Sequence, residues 1–438
     1  MKHLIVFSAT ILLIMSCKST VIVNHKKLDS IAESYVKLAL RLGQYDANYV
    51  DAYYGPDEWK PAPTSLENMP PFPYQTFRSE ADSLLNLLNH MNIARFDKLW
   101  TLRYNFLTKA VASLQTKIEM IHGHHYNYDE EARQLFDVEL ADMDTIYFRS
   151  IIRTLNELLP GDKPLYQRID EFSSQFNIPA DKLEHAFRAT LDECRRRTLA
   201  HIELPQNERF DLEFVLDKPW SAYNWYKGNY QSLIQVNTTH PISAYGIVSL
   251  ATHEGYPGHH VNSVLIEKYL YRDCGWVEFC ISPLYAPYSV IMEGLANAAI
   301  DITFPDNELQ LFMKNVLFPI AGLGTSDIER YIEVRHYVEA LEFARLNTLR
   351  AFSNGDISRE QAIDQLQTMA LIPLEKTARV LKFSETYGAY SVTYVVGLQL
   401  IRDYLKQHGG IDSDSQWQIM SELLSTPRTP SGMSDRLQ

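Results

Sequence analysis

Apolar residues recur at intervals of three and four along most of the chain, the pattern of amphipathic α-helices. The spacing predicts a first series of helices near residues 28–45, 78–90, 95–121, 128–141, 144–158, 164–175 and 180–201. It predicts a second series near residues 242–256, 261–271, 286–302, 306–320, 326–352, 356–369, 374–382, 387–407 and 414–424. A Pro-rich stretch at 54–76 is typical of a loop. We therefore expect a mostly α fold, a large helical body that encloses a cleft.

The middle of the chain follows a different period. Residues 211–216 alternate between polar and apolar side chains, and residues 221–237 are rich in aromatic and β-branched residues. Lys227–Gly228–Asn229 is a plausible hairpin turn within the second stretch. One small antiparallel β-sheet is expected here, directly before the helix near 242–256.

The N-terminus has the pattern of an export signal. Lys2 precedes an apolar run, residues 4–15, which is too short to span a bilayer and ends at Ser16–Cys17. The sequence predicts a lipoprotein signal peptide over residues 1–17 with Cys17 as the lipidated residue, followed by a polar tether, 18–27. A plain signal peptide with an incidental cysteine is the alternative. The expected location is the bacterial cell envelope, on the periplasmic side, with the lipid anchored in a membrane.

Composition and charge change this picture little. The chain has 438 residues, of which 46 % are hydrophobic, and a formal net charge of −13, so nucleic acid is not an expected partner. Three further cysteines, Cys194, Cys274 and Cys280, cannot build a disulfide framework. Cys274 and Cys280 either pair in an oxidising compartment or remain thiols. No protein partner is predicted.

The candidate chemistry lies in residues 253–260, which read His-Glu-Gly-Tyr-Pro-Gly-His-His. A zinc-binding helix normally places two histidines four residues apart, with a glutamate beside the first as general base. Here the fourth position is Pro257, so the second ligand is His259 or His260. On an unbroken helix neither shares a metal with His253. Pro257 and Gly258 interrupt the helix and allow the chain to fold back, which makes the longer spacing workable.

Three histidines and Glu254 within eight residues of a mostly apolar helix are costly to bury without a metal or partners. Glu293 is the candidate third ligand, because it is a carboxylate at the centre of an apolar, small-residue helix. A core glutamate paired with an arginine is the alternative. Asp301, two turns further on, either holds a ligating histidine or is a simple helix-end acid.

The motif His-Glu-x-x-Pro-Gly-His-His, followed by Glu-Gly-x-Ala, resembles a widespread bacterial family of unknown function with gluzincin-like sequence. It is more distantly similar to the helical zinc peptidases angiotensin-converting enzyme, thimet oligopeptidase and carboxypeptidase Taq. In those peptidases a glycine precedes the second zinc histidine, which favours His259, with His260 kept beside it. The resemblance implies a Zn²⁺ cofactor, peptide substrates and Glu254 as general base.

The resemblance also suggests residues for the rest of a peptidase site. The segment from Tyr387 to Tyr394 is similar to a Gly-Tyr stretch in which a tyrosine hydroxyl stabilises the oxyanion, with Tyr387 the first choice and Tyr394 the second. A tyrosine-rich core face explains the same residues. Segment Gln231–Asn237, and Asn237 with it, is a candidate edge strand for an extended substrate, or an ordinary hairpin. Arg402 is a candidate for binding a peptide C-terminal carboxylate, which would make the enzyme a carboxypeptidase.

The sequence thus predicts a zinc-dependent peptidase, possessing one helical domain over residues 28–438. Residues 28–205 would form an N-terminal helical part and residues 206–438 the catalytic part. A zinc amidase that acts on cell-wall peptides would use the same ligands. A metal-binding or peptide-binding lipoprotein without catalysis is the alternative from another class, and Glu254 argues against it because binding alone needs no general base.

Overall fold

Most of the chain is helical in a computed structural model that describes residues 24–63, 69–141, 145–410 and 412–433. The first helices are α1 (24–42), α2 (Tyr74–Asn89), α3 (Lys98–Ile121), α4 (Tyr128–Phe136), α5 (Thr145–Leu158), α6 (Leu165–Ser174) and α7 (Leu183–Leu199). After the strands come α8 (Ala244–Leu250), α9 (His259–Leu265), α10 (Pro287–Thr303), α11 (Glu308–Phe312), α12 (Phe318–Ala321), α13 (Ile328–Ala340), α14 (Glu342–Ser353), α15 (Arg359–Thr368), α16 (Leu374–Tyr387), α17 (Val392–Gly409) and α18 (Ser413–Leu424). The predicted mostly α fold is confirmed.

Local signals begin several of these helices. The Asp97 carboxylate accepts a hydrogen bond from the Trp100 amide at the start of α3, and Asn127 and Glu130 form a reciprocal capping box at the start of α4. The single helix predicted over 326–352 is divided at Leu341, where α13 ends and α14 begins. Such breaks are set by packing rather than by the periodicity of the sequence.

The strands form two small sheets instead of the single antiparallel sheet expected. β1 (Val50–Tyr53) pairs antiparallel with β5 (Ile281–Pro283). β2 (Arg209–Val215), β3 (Ala222–Gly228) and β4 (Gln231–Asn237) form a mixed sheet in the order β2-β4-β3, with β2 and β4 parallel. The prediction that Gln231–Asn237 is an edge strand is therefore wrong, because β4 lies between two partners. β3 is the edge strand on the cleft side.

Two apolar clusters build the interior. One joins helices α1–α4 to the segment around β5, and the other joins α5–α8 to most of the C-terminal helices. Helix α10 serves both, since Val290 belongs to the first cluster and Ile291 and Leu295 belong to the second. A helix buried on all sides is necessarily apolar all round, so a carboxylate within it needs a specific partner. No helix in the described ranges has the length and apolarity to cross a bilayer.

Helices α10 and α17 cross at a pair of glycines. A Cβ on Gly294 would lie 2.4 Å from the Gly397 carbonyl oxygen, and a Cβ on Gly397 would lie 2.4 Å from the Val290 carbonyl oxygen. The two backbones therefore approach more closely than any other residue would allow. This crossing carries α17 against the face of α10 that holds Glu293.

Replacing Gly397 by alanine is expected to lower the free energy of unfolding by about 2 kcal/mol. The overpacked methyl costs roughly 1–3 kcal/mol or more, which outweighs the gain of about 1 kcal/mol in helix propensity. Denaturant unfolding monitored by circular dichroism measures the change. The matched control is Gly324→Ala, because a Cβ there meets nothing within 4 Å. Equal stability of the two variants would contradict the close crossing.

The predicted signal peptide and Cys17 lie outside the described residues and stay predictions, as does the division at residue 205. Residues 24–27, the end of the expected tether, belong to α1, whereas residues 18–23 lie outside the described residues. Cys194, Cys274 and Cys280 are all free thiols. Cys274 is exposed while Cys280 is buried, so the optional pairing of these two is not formed.

Candidate metal centre and cleft

The segment that carries His253 and Glu254 is a π-helical turn, Ala251–Gly255, that continues α8. Turns of this kind are rare and cluster at functional sites. The helix stops at Tyr256, whose peptide bond to Pro257 is cis, and α9 begins anew at His259. The interruption predicted from Pro257 and Gly258 is therefore present.

Gly258 makes the fold-back possible. Its amide donates a hydrogen bond to the Thr252 carbonyl oxygen at 2.9 Å, so the chain returns onto the turn it has just left. A Cβ at this position would lie 1.9 Å from the His253 carbonyl oxygen and 2.3 Å from that of Thr252. Only glycine fits there. As a result His259 lies beside His253, with ring centroids 4.6 Å apart and ring planes at 88°.

Glu293 of α10 completes a three-residue group. Its Oε2 lies 3.4 Å from the His253 Nε2 and 3.5 Å from the His259 Nε2, and the ligand atoms of all three lie within 4.8 Å of one another. The glutamate is only 7 % exposed, and Oε2 has no hydrogen-bond partner among the described residues. A buried carboxylate oxygen without a partner is costly unless a cation faces it. The group could therefore hold a metal ion.

Charge governs the protonation of this glutamate. Burial alone would raise the pKa of Glu293, but the adjacent His259 and His253 hold that pKa well below its usual range. The separations of 3.4 and 3.5 Å are longer than good hydrogen bonds, so the contacts are mainly electrostatic. The carboxylate is thus anionic, the state in which it can bind a cation.

Neighbouring polar groups orient these side chains. The His253 Nδ1 lies 3.0 Å from the Asn297 Oδ1, and the Asn297 amide in turn donates to the Tyr394 carbonyl oxygen at 3.3 Å. An amide oxygen only accepts, so in this arrangement Nδ1 carries the proton and Nε2 keeps its lone pair for a ligand. The Tyr390 hydroxyl donates to the Glu293 Oε1 at 3.1 Å. Sequence reasoning missed Asn297 and Tyr390.

Asn297 stands where Asp301 was expected. It is four residues after Glu293 on α10, hence on the same face of that helix, and this spacing was the signal available in the sequence. Asp301 instead pairs with Arg402 through a 2.7 Å contact. Arg402 also contacts Glu339 at 2.7 Å. Neither Asp301 nor Arg402 lines the cleft. To bind a peptide carboxylate there, Arg402 would have to give up its ion pairs with Asp301 and Glu339.

His260 lies outside the three-residue group. It is fully buried, with Nε2 2.9 Å from the Glu208 Oε1 and Nδ1 2.7 Å from the Ser232 Oγ. The Tyr256 hydroxyl and the Arg195 guanidinium bind the same glutamate. Both ring nitrogens are thus occupied, and the alternative that His260 is the second ligand is corrected. This network instead holds the chain on either side of Pro257.

Glu254 faces the cleft beside the group and is 5 % exposed. Burial raises its pKa to about 7, with His253 opposing this shift and Glu293 and Asp51 adding to it. Asp51 of β1 also lines the cleft, and burial raises its pKa to about 6. The Asn224 side chain of β3 donates to the Glu254 carbonyl oxygen at 2.7 Å, which ties the edge strand to the π-helical turn.

The cleft has a volume of about 670 Å³. Aromatic side chains form much of its wall: Tyr54, Phe106, Trp220, Tyr223, Trp225, Tyr226, Phe279, Tyr288, Phe383, Tyr387, Tyr390 and Tyr394. Tyr387 and Tyr394 thus lie at the cleft as predicted candidates. Asn237 does not line it, because its side-chain amide donates to the Lys218 and Trp220 carbonyl oxygens. The size suits a short peptide or another molecule of that class.

The tyrosine segment is held by a helix far away in sequence. Gly388 has a φ of +58°, and the Ala389 amide donates to the Glu131 carboxylate of α4 at 2.9 Å. A Cβ on Gly388 would lie 2.2 Å from that carboxylate. The turn between α16 and α17 is therefore anchored by α4, which sets the positions of Tyr387 and Tyr390.

Comparison with solved structures finds proteins of similar fold. No protein-family model and no curated protein matches the chain. A candidate lipoprotein from Colwellia psychrerythraea superposes with a TM-score of 0.52 at 15 % identity, over 84 % of this chain and 70 % of that chain. This likeness shows a shared fold. It does not show that the chain belongs to the family that its His-Glu-x-x-Pro-Gly-His-His motif resembles.

Two other solved structures are more weakly similar. A candidate lipoprotein of unknown function from Shewanella oneidensis has a TM-score of 0.46 at 14 % identity, covering 82 % of this chain and 70 % of that chain. An M32 carboxypeptidase from Deinococcus radiodurans R1 has a TM-score of 0.38 at 10 % identity, covering 94 % of this chain and 92 % of that chain. At these scores neither likeness indicates a function.

Proposed function

We propose that this protein is a zinc-dependent hydrolase that cleaves peptide bonds of oligopeptides. The observation that carries the proposal is the convergence of His253, His259 and Glu293, whose buried Oε2 has no hydrogen-bond partner within the described part of the chain. Glu254 lies next to this group and faces the same cleft. A site that only bound metal would have no use for a carboxylate in that place.

The donor set fits zinc. Two imidazoles and one carboxylate, with a fourth position left for water, are the ligands of many catalytic zinc sites. Ligand atoms that each lie about 2.1 Å from a tetrahedral ion are about 3.4 Å apart. The separations of 3.4 and 3.5 Å between the glutamate oxygen and the two imidazole nitrogens match this value. His253, His259 and Glu293 would hold the ion.

When bound, zinc supplies Lewis acidity and lowers the pKa of water toward 7. Glu254 acts as general base: its carboxylate takes the proton of the attacking water and later passes it to the leaving amine. Asn297 keeps the His253 ring in the required tautomer, and Tyr390 fixes Glu293. The aromatic wall of the cleft excludes water from the reacting bond and contacts apolar substrate side chains.

Tyr394 is the preferred donor to the oxyanion, ahead of Tyr387. Burial raises the pKa of its phenol well above the usual value, and the nearby charges of Glu293 and Glu254 add to this shift. The Tyr390 hydroxyl is already engaged by Glu293. Tyr394→Phe is expected to lower kcat by about 100-fold with little change in KM, and steady-state kinetics measure both. Tyr387→Phe serves as the comparison, and a larger loss of kcat there would reverse the assignment.

The function is tested by metal analysis of the purified full chain followed by a peptide-library digest. We expect about one zinc ion per chain, chelator-sensitive cleavage and recovery of cleavage when zinc is restored. His259→Ala should lose both metal and cleavage, whereas His260→Ala should keep the metal while losing thermal stability. His240→Ala, at an exposed histidine, is the matched control.

Two outcomes would contradict the proposal at different levels. A metal-loaded chain that cleaves no peptide in a broad library would make the protein a binding protein. If His260→Ala loses the metal while His259→Ala keeps it, the assignment of His259 as a ligand is wrong. The proposal that the protein is a hydrolase would still stand.

A further inference from the structure

The cleft is lined by acidic side chains and by no lysine or arginine of the described residues. The described residues that line it include neither lysine nor arginine, whereas four carboxylates belong to it: Asp51, Glu254, Glu278 and Glu293. Arg345, whose charge reaches Tyr394, is paired with Glu342 and is not part of the lining. A substrate carboxylate would therefore enter this cleft without a basic side chain to receive it.

One of the four carboxylates is neutralised within the protein. Glu278 accepts hydrogen bonds from the Arg103 guanidinium at 2.6 and 3.0 Å, and both side chains are fully buried. The other three carboxylates, Asp51, Glu254 and Glu293, form no ion pair with a lysine or arginine of the described residues; among these residues, Glu293 pairs only with the two histidines. The cleft therefore offers carboxylates without lysine or arginine partners, and it favours a cationic ligand group.

Asp51 is the carboxylate of this set that neither ligates metal nor serves as general base in the proposed function. It lies on β1 and lines the same cleft as Glu254, His259 and Glu293. The charges of His259 and Glu293 both act on it, in keeping with a position near the three-residue group. The Tyr223 hydroxyl of β3 donates to its Oδ1, while Oδ2 accepts no hydrogen bond from the described residues. The pair is therefore oriented and has one oxygen available to a ligand.

Aromatic rings surround the same place. Tyr223 lies 4.5 Å from Trp225 and 5.6 Å from Trp220, measured between ring centroids, and all three line the cleft. Aromatic faces attract ammonium groups and also contact apolar side chains. A carboxylate beside such rings is suited to an amine and unsuited to an acid.

We infer that Asp51, oriented by Tyr223, binds an ammonium group of the substrate next to the bond that is cleaved. The inference rests on the proposed function and names its substrate class: peptides with a free amine near the metal centre. The amine is either the α-amino group of the first residue or a basic side chain, since both offer the same chemistry. A role as a carboxypeptidase, for which Arg402 was the candidate, is disfavoured by the same charges.

Binding without turnover tests the inference. Calorimetry in the presence of chelator compares the tripeptide amide Ala-Phe-Ala with its N-acetylated form on the full-length chain. Loss of one charge-assisted hydrogen bond is expected to weaken binding by about 10- to 100-fold on acetylation. An N-acetylated peptide that begins with lysine separates the two sources of the amine: recovery of tight binding assigns the site to a side-chain amine.

Variants locate the effect. Asp51→Asn should abolish the difference between free and acetylated peptides, whereas Asp211→Asn, which removes an exposed carboxylate on β2, should leave it unchanged. The wild-type comparison stands without either variant, should one fail to fold. Equal binding of free and acetylated peptides, or tighter binding of a free C-terminal carboxylate than of its amide, would overturn the inference. Binding is measured without hydrolysis, so the two ideas can fail separately. If the chain prefers free amines but cleaves no peptide, the proposed function is wrong and the amine-binding role of Asp51 remains.

Discussion

Glu254→Gln is expected to lower the rate of peptide hydrolysis by about a thousandfold, the usual contribution of general acid–base catalysis. Glutamine keeps the size and shape of the side chain but cannot take a proton from water. Metal content should not change, because the carboxylate is outside the three-residue group. Neutralising Glu254 also removes its repulsion from Glu293 and Asp51, so the melting temperature should not fall.

The measurement combines kcat for a library-derived substrate, zinc per chain and thermal unfolding. Glu213→Gln is the control, because it makes the same chemical change at an exposed position on β2. If Glu254→Gln turns over at the wild-type rate while binding zinc, the proposed general base is wrong. If it loses zinc together with activity, Glu254 is a ligand and the site must be reassigned.

Gly258→Ala is expected to reduce zinc affinity by about 100-fold, the upper end of the loss seen when supporting structure around a metal site is disturbed, and to destabilise the chain by roughly 3 kcal/mol. The new methyl would lie 1.9 and 2.3 Å from the carbonyl oxygens of His253 and Thr252. Both contacts are with backbone, so no side-chain rotation can relieve them. The turn must open, and His259 must move away from His253.

Zinc titration and thermal unfolding check this expectation, with Gly324→Ala as the control that adds the same methyl in open space. Far-ultraviolet circular dichroism should show retained helix, because both apolar clusters include many side chains distant from the turn. Wild-type zinc affinity in folded Gly258→Ala would show that the fold-back does not position the second histidine.

The periodicity of the sequence was sufficient for most of the helices, since a helix that buries one face repeats its apolar residues every three to four positions. It misplaced features that depend on packing, such as the break at Leu341 and the start of α2 at Tyr74. The periodicity does not determine strand order, because an edge strand and a central strand show the same alternation. For this reason β4 was predicted to be an edge strand, although it lies between β2 and β3.

The chemistry divides in the same way. Local spacing predicted the turn at Pro257–Gly258 and marked His253, Glu254 and Glu293 as candidates, because these residue types are costly in apolar helices without a function. Adjacent His259 and His260 are equivalent by composition, and only the fold shows that Glu208 and Ser232 occupy one of them.

What remained for the tertiary structure was every contact between residues distant along the chain. Asp51 reaches the site from a strand some two hundred positions before His253, and Glu131 anchors the tyrosine turn from α4. Such contacts leave no local pattern, since chain packing and not spacing brings them together. The amino-acid sequence therefore specified most of the helices and the candidate residue types, while the fold placed His259 and not His260 beside His253 and brought in the neighbours and the charges of the cleft.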